Sequence, residues 1–153
     1  MRWPAWLPLL ALAAALLSCT GADAPPGPLD TKNETCRSCR MPVSDARLAA
    51  QLAAPGEEPK FFDDIGCLRD YLATEGRAPE GSAVYVADHR TGSWVPGAAA
   101  LYTRTEGLDT PMGSHLIAHA DAASREADPL ARGGLPSTPA EIFGSSGPPG
   151  GNP

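Results

Sequence analysis

Lys60-Phe61-Phe62-Asp63-Asp64-Ile65-Gly66-Cys67-Leu68 is the stretch on which the fold turns. A short apolar run suited to a strand meets two carboxylates and then apolar residues at helical spacing. Ile65, Leu68 and Leu72, with Tyr71 flanking, fall on one face of a 3.6-residue period, so a helix starts here. It runs to about Glu75 and is closed by Gly76, while Asp63-Asp64 supplies its N-cap. Adjacent carboxylates also suit acid–base chemistry, but before a helix they serve more often as a cap and a dipole partner.

Working outward, Pro55-Gly56-Glu57-Glu58-Pro59 is a turn, and Arg47–Ala53 has a period that fits strand or helix. Read as a strand, it forms a hairpin with Lys60–Phe62. Ala83–Ala87 is a strand, Thr91-Gly92 a turn, and Trp94-Val95 and Ala98–Tyr102 are further strand-like pieces. Leu116–His119 reads as a strand, and Asp121 caps a last helix ending near Asp128. Strands followed by a helix, twice, without repeated parallel crossovers, predict an α+β fold. Phe61–Asp64 before the first helix is echoed by Ile117–Asp121 before the second, and a Met-bearing loop precedes each half, through Met41 and Met112.

The chain has 153 residues, 17 Pro, 16 Gly and a formal charge of −6. Residues 35–127 are expected to form one compact domain. Residues 19–34 are expected to be a flexible linker and residues 128–153 a disordered Pro/Gly-rich tail with little to bury. The acidic balance, with Lys60 the one lysine between 35 and 127, argues against a nucleic-acid partner. No Ser/His/Asp order, phosphate loop or His-Glu-x-x-His helix is present, so an enzyme is not expected.

Chemistry concentrates in Thr35-Cys36-Arg37-Ser38-Cys39-Arg40-Met41-Pro42. A thiolate and a thioether are soft donors that select Cu(I). On an extended backbone Cys39 and Met41 would share a face and could hold one ion. Cys36-x-x-Cys39 equally suits half of a zinc site or a disulfide, with Met41 simply apolar. Cys67 in the first helical turn is either an activated thiolate or a small core residue. Met112, in the turn Thr110-Pro111-Met112-Gly113, can reach a metal without crowding. Among His89, His115 and His119, His115 is favoured because it lies three residues from Met112.

At the N-terminus, Arg2 precedes an apolar run from Trp6 to Leu17 that ends in Leu16-Leu17-Ser18-Cys19. This resembles the bacterial lipobox, which implies a signal peptide over 1–18 and acylation of Cys19; an ordinary signal peptide or an uncleaved anchor is the alternative. Each buried methylene of an acyl chain contributes ~0.8 kcal/mol, enough for two or three chains to hold the protein at a membrane. Removing Cys19 from the ligand count leaves three thiols, an odd number that in an oxidising compartment means a metal or a free thiol.

Four motifs together resemble the NosL family of nitrous oxide reductase accessory lipoproteins. They are Cys36–Met41, Phe62–Leu68, Tyr85–Asp88 followed by Thr91–Trp94, and Thr110–Gly113. The resemblance spans about Thr35 to Ala127. It implies two related ββαβ units and a Cu(I) chaperone facing the periplasm, tethered to the bilayer through Cys19. It also implies that copper passes to the reductase's maturation machinery, an ABC-type membrane complex, or to the reductase. The family's Cys-Gly-Met pattern falls on Cys39 and Met41, with Arg40 standing where Gly is usual; Cys67 and Met112 match further family positions. The expected metal ligands are therefore Cys39, Met41 and Met112, with Cys36, Cys67 and His115 as further candidates. A structural zinc domain using Cys36, Cys39 and Cys67 is the competing expectation. A thiol oxidoreductase built on Cys36-x-x-Cys39 fits poorly, because Pro42 and short strands follow where a helix should open.

Overall fold

The computed structural model describes residues 22–150. Its elements are β1 (Ala50–Ala53), β2 (Lys60–Phe62), α1 (Ile65–Glu75), β3 (Ala83–Ala87), β4 (Trp94–Pro96), β5 (Leu101–Arg104), β6 (Leu116–His119), α2 (Ala122–Ala127), α3 (Pro129–Arg132), β7 (Leu135–Ser137) and α4 (Pro139–Phe143). They build two antiparallel sheets, ordered β2-β1-β3-β4 and β6-β5-β7, with helices packed against them. This is an α+β fold. Its duplication is visible in the strand order: β2-β1-β3 encloses α1 in sequence as β6-β5-β7 encloses α2 and α3, so each half is a ββαβ unit.

The hairpin of β1 and β2 pairs Ala50 with Phe62 and Leu52 with Lys60, which resolves the ambiguous segment as a strand. β1 lies between β2 and β3, with all four of its residues buried, so it loses the alternation of a half-exposed strand. Asp64 caps α1 by accepting the Gly66 N–H at 2.6 Å, and only the first turn of the helix, Ile65–Leu68, is buried. Phe62 packs against Tyr71 with the rings tilted and their centroids 5.2 Å apart, joining strand to helix.

One core runs through both halves, from Phe62, Leu68 and Val86 to Tyr102, Leu116 and Ala118. A parallel bridge of Asp88 with Ala118 joins the sheets, supported by the His89 N–H donating to the Ala118 carbonyl at 2.8 Å. The Asp88 carboxylate also accepts the Ala120 N–H at 2.8 Å and the N–H groups of Arg90 and Thr91 at 3.0 Å. Burial alone would raise this carboxyl, but those donors bring it down to about 2.

Both expected flexible segments are corrected by the structure where it describes them. In the linker, the Ala24 N–H donates to the Gly81 carbonyl, Tyr85 Oη donates to the Ala24 carbonyl at 2.9 Å, and Gly27 exchanges two hydrogen bonds with the buried Gln51 side chain. In the tail, β7 adds an edge strand to β5 and sets Pro136 opposite Thr103, an edge position where a missing N–H does no harm. Gly134 lets the chain turn onto that edge, since a Cβ there would lie 2.6 Å from the Arg104 carbonyl oxygen. Ile142 is buried in the main core, and Phe143 meets Tyr102 edge-on with centroids 5.9 Å apart. The physical reason is economy: a few well-placed apolar residues and backbone partners order a Pro/Gly-rich segment that has no periodic pattern.

Candidate metal centre

The segment Thr35–Pro42 closes on itself as a narrow loop. Thr35 bridges Pro42, the Cys36 N–H donates to the Met41 carbonyl at 2.8 Å, and the Arg40 N–H donates to the Cys36 carbonyl at 3.1 Å. Cys39 lies in the turn at the tip, so the extended geometry expected for Cys39 and Met41 is not what forms. Arg40 takes a left-handed conformation with φ of 68°. That is the conformation glycine adopts without penalty, so the arginine here carries a backbone cost that glycine would not.

This loop is laid against the start of α1. The Arg37 N–H donates to the Phe61 carbonyl at 2.8 Å, anchoring the loop to the end of β2. As a result Cys36, Cys39 and Cys67 converge with Asp63, their ligand atoms all within 4.8 Å of one another. Cys36, Cys67 and Asp63 are buried, while Cys39 is half-buried. Cys39 Sγ lies 3.4 Å from both oxygens of Asp63. Asp63, expected to share the capping of α1 with Asp64, is instead a member of the cluster.

Cys39 and Cys67 are held protonated when no metal is bound. Burial pushes the Cys39 thiol up to about 11; the Met41 N–H works against this, whereas Cys36 and the Asp63 carboxylate add to it. Burial likewise raises the Cys67 thiol, with Asp63 and Cys36 acting in the same direction. The activated thiolate expected as one reading of Cys67 is therefore corrected: burial first, and then the adjacent Asp63 carboxylate, disfavour the thiolate there.

The second methionine loop is fixed to the same place by Asp64. This buried carboxylate accepts the Thr110 hydroxyl at 2.6 Å and the Met112 N–H at 3.0 Å as well as the Gly66 N–H. Burial would raise Asp64, but those donors and the Ser114 hydroxyl lower it. Gly66 permits the contact, since a Cβ there would lie 2.7 Å from Ser114 Cβ. Met112 and Met41, 52 % and 41 % exposed, carry thioethers on loops anchored beside the Asp63-Asp64 pair.

His115, the favoured histidine, is turned to its own loop: its Nδ1 lies 3.0 Å from the Leu108 carbonyl and its N–H donates to Thr110 Oγ1. The histidines that do converge are His89 and His119, on Asp128. Residue types alone could not show this, because the three come from a turn, a strand end and a helix junction far apart in sequence. Cys19 lies outside the described residues. No helix among the described residues is long and apolar enough to cross a membrane. A family model described as NosL matches residues 29–142, whereas no curated protein and no solved structure matches the chain.

Proposed function

Because the chain belongs to the NosL family, we propose that it is a Cu(I) carrier of the bacterial cell envelope. In this reading the chain is tethered by acylated Cys19, faces the periplasm, and delivers copper for nitrous oxide reductase maturation. The observation that carries the reading is the convergence of Cys36, Cys39 and Cys67 with Asp63, beside two loops bearing exposed methionines. Thiolate and thioether sulfur is the donor set Cu(I) prefers over harder cations. The role is carriage rather than catalysis, and copper is the cargo.

The mechanism follows from burial and protonation. Cys36 and Cys67 are held inside the core and fix the site, whereas Cys39 sits at the loop tip, half-exposed, where an incoming sulfur or imidazole can compete for the ion. Loading displaces thiol protons, so binding weakens as pH falls and strengthens as it rises towards the Cys39 value of about 11. The recipient is the maturation machinery, an ABC-type membrane complex, or the reductase. The tether keeps the carrier at the membrane surface where such a complex stands.

A structural zinc site is the second reading, favoured by the same cluster, since three cysteines and a carboxylate are donors zinc accepts. Dependence on Cys36 does not separate the two metals, because Cys36 lies in the cluster. Dependence on methionine does, because zinc has little use for a thioether. The test is a competition titration with a Cu(I) chelator, repeated at several pH values. Cys39→Ser should weaken Cu(I) binding about 100-fold or more, and Met41→Leu and Met112→Leu about tenfold each, with the fold intact. Cu(I) binding that is unchanged in Cys39→Ser and in both methionine variants would remove the copper reading. Zinc bound tightly through all three cysteines would then leave the structural one.

A further inference from the structure

Where the two halves meet, the molecule holds a cluster that the sulfur chemistry does not use. His89 lies in the turn after β3, His119 is the last residue of β6, and Asp128 is the N-cap of α3. All three are buried, His119 completely. Nδ1 of His89 lies 2.6 Å, and Nε2 of His119 3.0 Å, from the same oxygen, Asp128 Oδ2. The three donor atoms all fall within 4.8 Å of one another. The other carboxylate oxygen accepts the Leu130 N–H at 2.9 Å and so fixes the group's orientation.

The duplication of the fold supplies a control for this arrangement. Phe62 ends β2 two residues before the N-cap Asp64, and His119 ends β6 two residues before the N-cap Asp121. One half fills the position with a buried apolar ring, the other with a buried imidazole whose Nδ1 has no hydrogen-bond partner. An unsatisfied buried nitrogen is costly, so packing alone favours the phenyl ring. A single imidazole on Asp128 would suffice to pin α3. Two ring nitrogens and one carboxylate oxygen, brought together from three separate elements, are the donors of a zinc-type site that water completes.

We propose that His89 Nδ1, His119 Nε2 and Asp128 Oδ2 bind one divalent cation of the zinc class, independently of the cysteine cluster. Metal–donor bonds of about 2.0–2.2 Å place tetrahedral donors ~3.3 Å apart, so Asp128 Oδ2, at 2.6 and 3.0 Å from the two nitrogens, must draw back from both to admit the ion. Imidazole and carboxylate are harder than thiolate and thioether, so the two sites sort metals: the sulfur site takes Cu(I) and this one a borderline divalent ion. Bound there, the ion clamps the turn after β3 and the C-terminal segment onto β6, locking the two halves together.

The test is a Co(II) titration of the full chain under reducing conditions, read by absorption. Cobalt on the cysteines gives intense near-ultraviolet thiolate charge transfer, whereas cobalt on His89, His119 and Asp128 gives visible ligand-field bands alone. His119→Phe, the residue the other half already uses, should keep the charge transfer and lose one equivalent of cobalt. Asp128→Asn should weaken that equivalent about tenfold or more. A Cys36→Ala/Cys39→Ser/Cys67→Ala variant should keep one equivalent without charge transfer, and Zn(II) should raise its melting temperature unless His119→Phe is also present. The proposal is overturned if His119→Phe binds as many equivalents as the parent. It is overturned equally if the folded triple-cysteine variant binds no cobalt. Should the triple variant not fold, the His119→Phe comparison decides alone. Loss of the charge transfer with the ligand-field equivalent retained would count against the sulfur site only.

Discussion

The two ββαβ halves share a strand order and differ in what they place after their second strand. In the first, β2 ends in Phe62-Asp63-Asp64, and a separate loop, Cys36–Met41, is laid against it from the N-terminal side. In the second, β6 ends in His119-Ala120-Asp121, and Asp128 arrives from the C-terminal side. The first half so acquires two buried thiols and one half-exposed, while the strand end of the second acquires buried imidazoles and a carboxylate. The capping aspartates are equivalent, since Asp64 and Asp121 each accept an N–H of the helix that follows. The difference teaches that the repeat supplies a platform, a strand end meeting a helix start, while the chemistry comes from whichever segment is folded back onto it.

The severest way to break the comparison is to remove the strand that closes the second half and the helix after it. Truncation after Asp128 deletes β7 and the buried Ile142 and exposes Tyr102, at a cost of about 3–5 kcal/mol for the lost large side chains alone. The melting temperature should fall by roughly 10 °C or more, measured by thermal denaturation followed by circular dichroism. A loss of only a few degrees would mean the segment contributes little.

Asp64→Ala strikes the equivalent position of the first half. It strands the Thr110 hydroxyl and the Met112 and Gly66 N–H groups, which should cost about 3 kcal/mol in chemical denaturation. Asp121→Ala removes a cap alone and should cost about 1 kcal/mol, so the ratio of the two measures how much Asp64 does beyond capping.

The joint between the halves can be sharpened by acid. In the metal-free chain the Asp88 carboxyl, at about 2, lies below an unfolded value of roughly 3.9. Its contribution, on the order of 2 kcal/mol, is therefore present above about pH 4 and lost as pH falls through 2. Asp88→Asn should lower stability at neutral pH and flatten the acid limb of the stability profile. An unchanged acid limb would show that the parallel bridge holds the sheets without this charge.

The smallest expected effect is local to the first half. Arg40→Gly relieves a left-handed residue and should stabilise by roughly 0.5–1 kcal/mol, seen as a rise of a few degrees in melting temperature. A fall would mean that the arginine side chain contributes more than its backbone costs.

Much of this was legible because local chemistry and fold agree. The Asp64 cap, the Ile65–Leu72 stripe and the Ala83–Ala87 strand need only near neighbours to be recognised, and each forms as the pattern predicts. The echo of the halves was legible for the same reason, since capped helices follow strands at matching offsets. The C-terminal segment was not legible: Pro136 within β7 and the short α4 carry no period, and their order derives from Thr103 and Tyr102, more than thirty residues upstream. Asp63 was misjudged for a related reason, because capping is a local role and lying against Cys39 is not.

By itself, then, the sequence determined which donor atoms exist and which elements carry them: soft sulfur in two loops, carboxylates before helices, and an α+β order. Residue type sets ligand softness, and short-range sterics and capping set helices and turns, so neither needs the rest of the chain. Only the tertiary structure decided which donors meet. Cys36, Cys39 and Cys67 join Asp63 rather than a histidine, and His89 and His119 meet on Asp128 rather than beside Met112. Those choices depend on distant backbone segments closing onto shared strand ends, through the Arg37–Phe61 and Asp88–Ala118 contacts, and such closures leave no period in the chain to read.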